Sequence, residues 1–334
     1  MDPAAPVGAA VKSAAFLAAL GVFALLAGVA SATERYAVVI TGASGGDAYA
    51  AKYTKLRTAL VTTLRDTFEY RPDHLFVFGE DEGEGVQKAT RENVQRAFAD
   101  LRKRLTKDDQ LLVFLAGHGT TVHGSAEDAK FNLVGPDLSA SEWSDLLKPL
   151  PGRLVFVDTT GASFPFLRKL AGRGRVVLTA TDSAAQQFET IFPEFFVKAF
   201  DDEAADVDKN GRVSLWEAFT YASAAVRQSF EQKGQLPTER PLLDDTGAGV
   251  GREAQAPGTD GAVARVTYLE PEPPLELPSD AALATLVRRR AALEAALEEL
   301  KARKESLPAD QYDVELERIL TELARVSLQI KAKS

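Results

Sequence analysis

The sequence predicts an α/β fold: a three-layer α/β/α domain with a mostly parallel sheet between helices, followed by a C-terminal helical hairpin or coiled coil. Three observations predict it. Short apolar runs recur from residue 36 to 179 with helical patterns between them, and they are continuous rather than alternating. A strand that is apolar on both sides is covered on both faces, which is the condition of a parallel sheet between helices. A stretch rich in Gly, Pro and acids then interrupts the pattern over residues 246–278. Beyond it, leucines and other apolar residues recur at three and four spacing from Leu283 to Ile330.

Ahead of the sheet, Lys12 precedes an uncharged apolar run over residues 13–32 that closes on Ala30-Ser31-Ala32. A basic residue, an apolar core and a small-x-small end form the pattern of a secretory signal. Residues 1–32 therefore read as an export signal with the mature chain beginning near Thr33, and the protein is expected in the periplasm or outside the cell. The run also approaches the ~18 to 20 residues of a membrane span, so an uncleaved inner-membrane anchor is the alternative.

The strands follow in order at 36–40, 74–78, 110–115, 153–157 and 175–179, with helices at 48–67, 92–105 and 141–147 between them. In such sheets ligands bind beyond the strand C-termini. The main domain spans 33–245. After the linker at 246–278, where Pro271, Pro273 and Pro274 forbid a helix, residues 279–334 form the hairpin. Its stripe of Leu286, Leu293, Leu297 and Leu300, then Tyr312, Leu316, Ile319, Leu323, Val326 and Ile330, fits a coiled coil able to self-associate or an apolar face packed back on the main domain. Pro308 suits the first turn of the second helix.

Composition narrows the chemistry. The chain has 334 residues, a net charge of -9 and no cysteine. The absence of cysteine removes disulfides, thiolate metal sites and a thiol nucleophile together. Acids and bases are interspersed, so there is no basic surface for a phosphate backbone and nucleic acid is not an expected partner.

Two strand ends carry polar residues of the kind that form sites. The strand over 111–115 runs into Ala116-Gly117-His118-Gly119-Thr120, and the strand over 153–157 into Asp158-Thr159-Thr160-Gly161-Ala162-Ser163. Two features follow the fifth strand: Thr179-Ala180-Thr181-Asp182, and the stretch Pro237-Thr238-Glu239-Arg240-Pro241. Together these resemble the caspase-like cysteine peptidases, the superfamily of legumains, caspases and metacaspases. The resemblance covers roughly residues 35–245. It implies that His118 holds the catalytic histidine position, that Gly119 offers an oxyanion-hole N–H, and that Asp158 and Asp182 face a substrate side chain. It also implies that Thr160 stands where the family has its nucleophilic cysteine.

That replacement matters chemically. A thiol with pKa ~8.5 becomes a thiolate beside a positive neighbour. A threonine hydroxyl stays protonated and needs a well-aligned strong base, usually an N-terminal amine that an internal Thr160 lacks. Ser163 is a third candidate nucleophile, whose simpler role is a helix N-cap. His118 without the resemblance would be a strand-end histidine satisfied by the backbone. His123 falls in a surface loop with no helical metal-ligand spacing, and His74 heads a strand as a structural residue.

The sharpest local motif is Asp206-Val207-Asp208-Lys209-Asn210-Gly211-Arg212-Val213-Ser214-Leu215-Trp216-Glu217. It fits the twelve-residue loop that surrounds one Ca²⁺ with oxygens. Asp206, Asp208 and Asn210 supply side-chain oxygens, Arg212 its carbonyl, Ser214 a direct or water-mediated oxygen and Glu217 both carboxylate oxygens. A polar helix-capping turn is the simpler alternative. The expected function is that of an exported pseudopeptidase that binds a peptide or protein ligand, or scaffolds, around a structural Ca²⁺. The alternative is an active peptidase using Thr160 or Ser163 with His118.

Overall fold

A computed structural model describes residues 33–121, 129–186, 188–272, 274–302, 304 and 307–333. The expected signal or anchor over 1–32 and His123 lie outside the described residues. No helix among the described residues is long and apolar enough to cross a membrane.

The chain begins with β1 (Arg35–Thr41), α1 (Asp47–Thr62), β2 (Leu75–Gly79), β3 (Gln87–Lys88) and α2 (Arg91–Arg104). It continues through β4 (Gln110–Ala116), β5 (Gly119–Thr120), β6 (Lys130–Phe131), β7 (Leu138–Ser139) and α3 (Ala140–Leu147). Then come β8 (Arg153–Asp158), α4 (Phe164–Leu170), β9 (Arg175–Thr179), α5 (Phe192–Ala199), α6 (Leu215–Gln232) and β10 (Leu242–Asp244). The last two elements are α7 (Ala281–Ala302) and α8 (Ala309–Lys333).

Seven strands form one sheet in the order β10-β9-β8-β4-β1-β2-β3. All pair in parallel except β10, which runs antiparallel to β9. Alternate side chains of each strand leave on opposite faces, which splits the core in two. Val39, Phe114, Val157 and Leu178 pack under α1, α5 and α6, whereas Val38, Val113, Phe156 and Val177 pack under α2, α3 and α4. The architecture is therefore the three-layer α/β/α sandwich that the apolar runs predict. Side chains start several helices: Thr90 accepts from the Asn93 amide, while Ser139 with Glu142 and Ser214 with Glu217 form reciprocal capping boxes.

Because β1 neighbours both β2 and β4, the loops after β1 and β4 leave in opposite directions and open a crevice at the C-terminal edge. A small antiparallel sheet, β5-β6-β7, flanks that edge. Residues 246–270, read from the sequence as linker, hold close contacts with the core. Arg252 bridges Leu243, and Tyr268 bridges Ser214. Buried carboxylates secure the segment: Asp245 accepts from the amides of Gly261 and Ala264, at 2.8 Å each, and Asp244 accepts from Gly247 and Gly249. Asp244 and Asp245, the last two residues of the expected main domain, thus satisfy orphan backbone donors in the segment that follows.

The C-terminal helices pack on each other. Leu293 and Leu300 of α7 meet Ile319 and Val326 of α8 in a cluster of their own, and Arg289 forks onto Glu322 at 2.6 and 3.1 Å. The heptad-like stripe therefore finds its first partner within the hairpin.

Candidate functional site

The β4 and β8 strand ends are held side by side by six paired residues, from Gln110 opposite Arg153 to Leu115 opposite Asp158. The register continues past the strands, since Leu115 O accepts both the amide and the hydroxyl of Thr159, at 3.0 and 2.8 Å. His118-Gly119 and Thr160 are therefore neighbours at the sheet edge, as the resemblance requires. Their side chains do not meet in the expected way.

Thr160 is 0 % exposed, and its Oγ1 has no hydrogen-bond partner. Gly119 lies directly against it: a Cβ at that position would stand 2.7 Å from Thr160 Oγ1 and 2.8 Å from the Ala162 methyl. Only glycine permits so close an approach. Beneath, the Thr160 amide donates to Asp158 Oδ1 at 2.9 Å, and Asp158 Oδ2 is buried without a partner. Burial pushes the Asp158 carboxyl up to about 7, against the opposing effects of the Thr160 amide and side chain. A carboxyl that is 0 % exposed offers nothing to a substrate's basic side chain.

His118 turns elsewhere. Its Nε2–H donates to the Ser44 carbonyl at 2.9 Å, and Nδ1 stands 3.5 Å from Glu189 Oε2. Tyr53 donates its hydroxyl to the same Glu189 oxygen at 2.9 Å, and Lys52 pairs with the other at 3.0 Å. The edge of the Tyr49 ring closes the third side, 4.8 Å between centroids. Burial, then the Glu189 charge, raises the Tyr53 phenol, so it remains a hydrogen-bond donor at neutral pH. No hydrogen bond joins His118 to Thr160.

The remaining expected residues are engaged too. Ser163 stands at the N-cap of α4 but caps no helix amide. Its fully buried Oγ accepts from the Ala180 and Thr181 amides at 3.1 and 3.2 Å, tying α4 to the end of β9. Asp182 is ion-paired to Arg240 at 2.8 Å, and Arg240 also reaches Glu253. Ser44, Tyr53 and Glu189 carry no motif, so sequence reasoning misses them. Glu239 sits inside the Pro-Thr-Glu-Arg-Pro stretch, but its role emerges only in the fold. Its buried carboxylate caps α5 by accepting from the amides of Ile191 and Phe192, and burial raises it to about 7.

What remains open is a cleft of about 400 Å³ lined by Ala43, Gly45, His118, Gly119, Thr120, Thr121 and Asn132. It presents hydroxyl, amide and backbone groups. Among the described lining residues, the Thr120 hydroxyl is bonded to Asn132 and the Thr121 hydroxyl to the Ala184 carbonyl.

Away from the cleft, oxygens of Asp206, Asp208 and Glu217 lie within 4.8 Å of one another. The loop that carries them is tightly wound: Asp206 accepts from the amides of Asn210 and Gly211 at 3.1 and 2.9 Å. Lys209 and Gly211 take positive φ, 60° and 82°. An all-oxygen, carboxylate-rich donor set suits a hard divalent cation and matches Ca²⁺ chemistry. Asn210 also points into the loop, donating to Asp208 and to the Tyr268 hydroxyl. Two expected ligands have other partners: Glu217 accepts from the amides of Val207, Asp208 and Ser214, and Ser214 Oγ donates to Glu217. Bidentate binding by Glu217 would exchange the Val207 and Asp208 amides for the ion. No hydrogen bond occupies the Arg212 carbonyl among the described contacts of the loop.

No family model matches the chain, and no curated protein matches it. Among the solved structures similar to the chain at low identity are the following two. Protein GSU0716 from Geobacter sulfurreducens is 14% identical with a TM-score of 0.42, over 63% of this chain and 92% of that one. The Drosophila initiator caspase Dronc is 12% identical with a TM-score of 0.42, over 71% of this chain and 83% of that one.

The buried carboxyl at Asp158 makes stability depend on pH. Its folded pKa of about 7 lies above the ordinary 3.8, so the folded state keeps a proton that the unfolded chain releases. Stability from this group is complete below about pH 4 and is lost as pH rises through about 7. Asp158→Asn keeps an acceptor for the Thr160 amide and carries no charge. By urea denaturation, Asp158→Asn is expected to gain stability over the parent between pH 5 and pH 8, on the order of 3 kcal/mol at the upper end. Glu239 remains in both proteins and cancels. A difference that does not vary with pH contradicts the assignment.

Proposed function

We propose that the protein is an exported, non-catalytic relative of the caspase and legumain peptidases, whose cleft binds a peptide or protein ligand without cutting it. One observation carries the reading: the residue at the nucleophile position, Thr160, is 0 % exposed under Gly119, and no hydrogen bond joins its hydroxyl to His118. Peptide hydrolysis by a hydroxyl needs an aligned general base. His118 gives one nitrogen to Ser44 and turns the other toward Glu189. The His-Gly and Asp-Thr-Thr motifs at adjacent parallel strand ends support the family likeness, while cysteine is absent from the whole chain. Export rests on the apolar run and the Ala-Ser-Ala pattern of residues 30–32.

The second part of the proposal is a structural Ca²⁺ in the 206–217 loop. There Asp206, Asp208, Asn210 and Glu217 supply side-chain oxygens, Arg212 its carbonyl, and Ser214 an oxygen directly or through water. Bound there, the ion neutralises the clustered carboxylates and fixes the entry to α6. A single loop without a paired partner favours this structural role over sensing.

A pooled fluorogenic peptide library is expected to show no turnover by the protein and no difference between it and His118→Ala, with or without Ca²⁺. The same library immobilised should retain the protein through a subset of peptides, and Asn132→Lys in the cleft should reduce that retention. Turnover abolished by both His118→Ala and Thr160→Ala would make the protein a threonine-dependent peptidase and overturn the reading.

For the loop, Ca²⁺ at roughly 10 mM is expected to raise the melting temperature by about 3 to 10 °C, given affinities of extracellular calcium modules near ~0.1 to 1 mM. Mg²⁺ should have a smaller effect, because it demands tighter octahedral geometry. The exposed Asp208 carries the sharpest control: Asp208→Ala should abolish the Ca²⁺ response while changing the ion-free melting temperature little. An equal response in Asp208→Ala excludes the loop.

A further inference from the structure

The outer face of α8, turned away from its partner helix, is complementary to itself. On a helix of 3.6 residues per turn, the residues that meet α7 (Tyr312, Leu316, Ile319, Leu323, Val326 and Ile330) share one side. Val314, Thr321 and Leu328 recur at seven-residue spacing on the opposite side, and all three are exposed, the two apolar ones at 69 % and 68 %. A shallow groove of about 390 Å³ runs along this face, lined by Val314, Glu317, Arg318, Thr321, Glu322 and Arg325. Its lining resolves into two overlapping sets at i, i+3, i+4 and i+7: 314, 317, 318, 321, and 318, 321, 322, 325. That is the four-residue hole into which a side chain from a facing helix inserts in a coiled coil.

We propose that this face docks on the same face of a second copy of the chain, with the two α8 helices antiparallel and Thr321 on the two-fold axis. The inference stands independently of the cleft's function. A two-fold centred on Thr321 brings residue i opposite residue 642 minus i. Val314 then meets Leu328 of the second copy, Glu317 meets Arg325, and Arg318 meets the small Ala324. Apolar falls on apolar, acid on base, and the bulkiest cation on the least bulky neighbour. The parallel arrangement sets Glu317 on Glu317 and Arg325 on Arg325, and like charges in register oppose pairing. Charge complementarity therefore selects both the partner and its direction. Within one copy Arg318 and Arg325 are engaged by Glu315 and Glu322, whereas Glu317 has no basic partner among the described residues. The cross-copy contact supplies one.

Only two apolar residues per helix enter the seam, and exposed ion pairs contribute little each. The association is thus reversible and concentration-dependent, suited to clustering of a scaffold. It pairs hairpins through α8 and leaves both α7 helices on the outside.

The chain contains no cysteine, so single introduced cysteines report contacts without background. Under mild oxidation of the concentrated protein, Thr321→Cys is expected to give a disulfide-linked dimer, since a residue on the axis faces its own copy within reach of an S–S bond. Val314→Cys alone should remain monomeric, and a mixture of Val314→Cys with Leu328→Cys should give the mixed dimer. Added to Thr321→Cys, Glu317→Arg should lower the cross-linked fraction several-fold, and Arg325→Glu on top of it should restore that fraction. All five positions are on the exposed face, and circular dichroism checks that helicity is kept. Failure of Thr321→Cys to cross-link overturns the proposal, as does self-linking of Val314→Cys at equal efficiency, which marks a parallel pair. Loss without recovery in the charge-exchanged variant contradicts the Glu317–Arg325 contact and with it the proposed register.

Discussion

The parallel pairing of β4 with β8 is the constraint on which the rest of the cleft depends. Six residue pairs fix the two strands, and Thr159 extends the lock by giving both its amide and its hydroxyl to Leu115 O. Given that lock, the chain after β4 and the chain after β8 must pass within van der Waals distance, and only glycine at 119 allows it. The same closeness that brings a histidine loop beside a nucleophile position in a peptidase here seals the Thr160 hydroxyl from solvent. A cysteine sulfur at that place would have to find room against the Gly119 backbone and the Ala162 methyl. Threonine, with a branched Cβ that restricts χ1, fills the space and stays there.

Buried carboxylates organise the polypeptide around this edge. Asp158 holds the Thr160 amide, Glu239 the start of α5, Asp244 and Asp245 the segment that follows β10, and Glu217 the start of α6. In each case an acid substitutes for a missing backbone partner, and each buried backbone donor left unpaired would cost roughly 1–3 kcal/mol. Where desolvation is strong, as at Asp158 and Glu239, the acid is raised to about 7 and the fold becomes sensitive to neutral pH. Much of the chain's acidity therefore serves its interior, and the net charge of -9 overstates what its surface presents.

The sheet's central strands are legible in the sequence because β1, β4 and β8 each carry an unbroken run of four or more apolar residues, covered on both faces. Their order alone puts His118 and Thr160 at neighbouring ends. The short strands β3, β5, β6, β7 and β10 are not legible, because two or three residues contain no period. Helix α5, Phe-Pro-Glu-Phe-Phe-Val-Lys-Ala, has a buried apolar face and exposes Glu194 and Lys198, but its eight residues are too few for the period to stand out in the sequence. The environment of His118 is out of reach for another reason: Tyr53 and Glu189 meet across 136 positions, and nothing local in either segment signals the pairing. The acids after β10 read as linker because composition reports charge and not the backbone amides it satisfies. The spacing of the 206–217 loop is legible in full, while the capping role of Glu217 becomes visible only with the Ser214 pair in place.

The central claim is that the nucleophile position is closed, and a thiol placed there measures it directly. Thr160→Cys introduces the single thiol of the chain, so reaction with a small disulfide reagent reports that site alone. The account predicts that the folded protein reacts at least about 100-fold more slowly than the same protein in denaturant, with the difference vanishing on unfolding, as for a fully buried thiol. Reaction at the rate of a free thiol in the folded state, accompanied by peptide cleavage that His118→Ala abolishes, would show an open and competent cleft and contradict it.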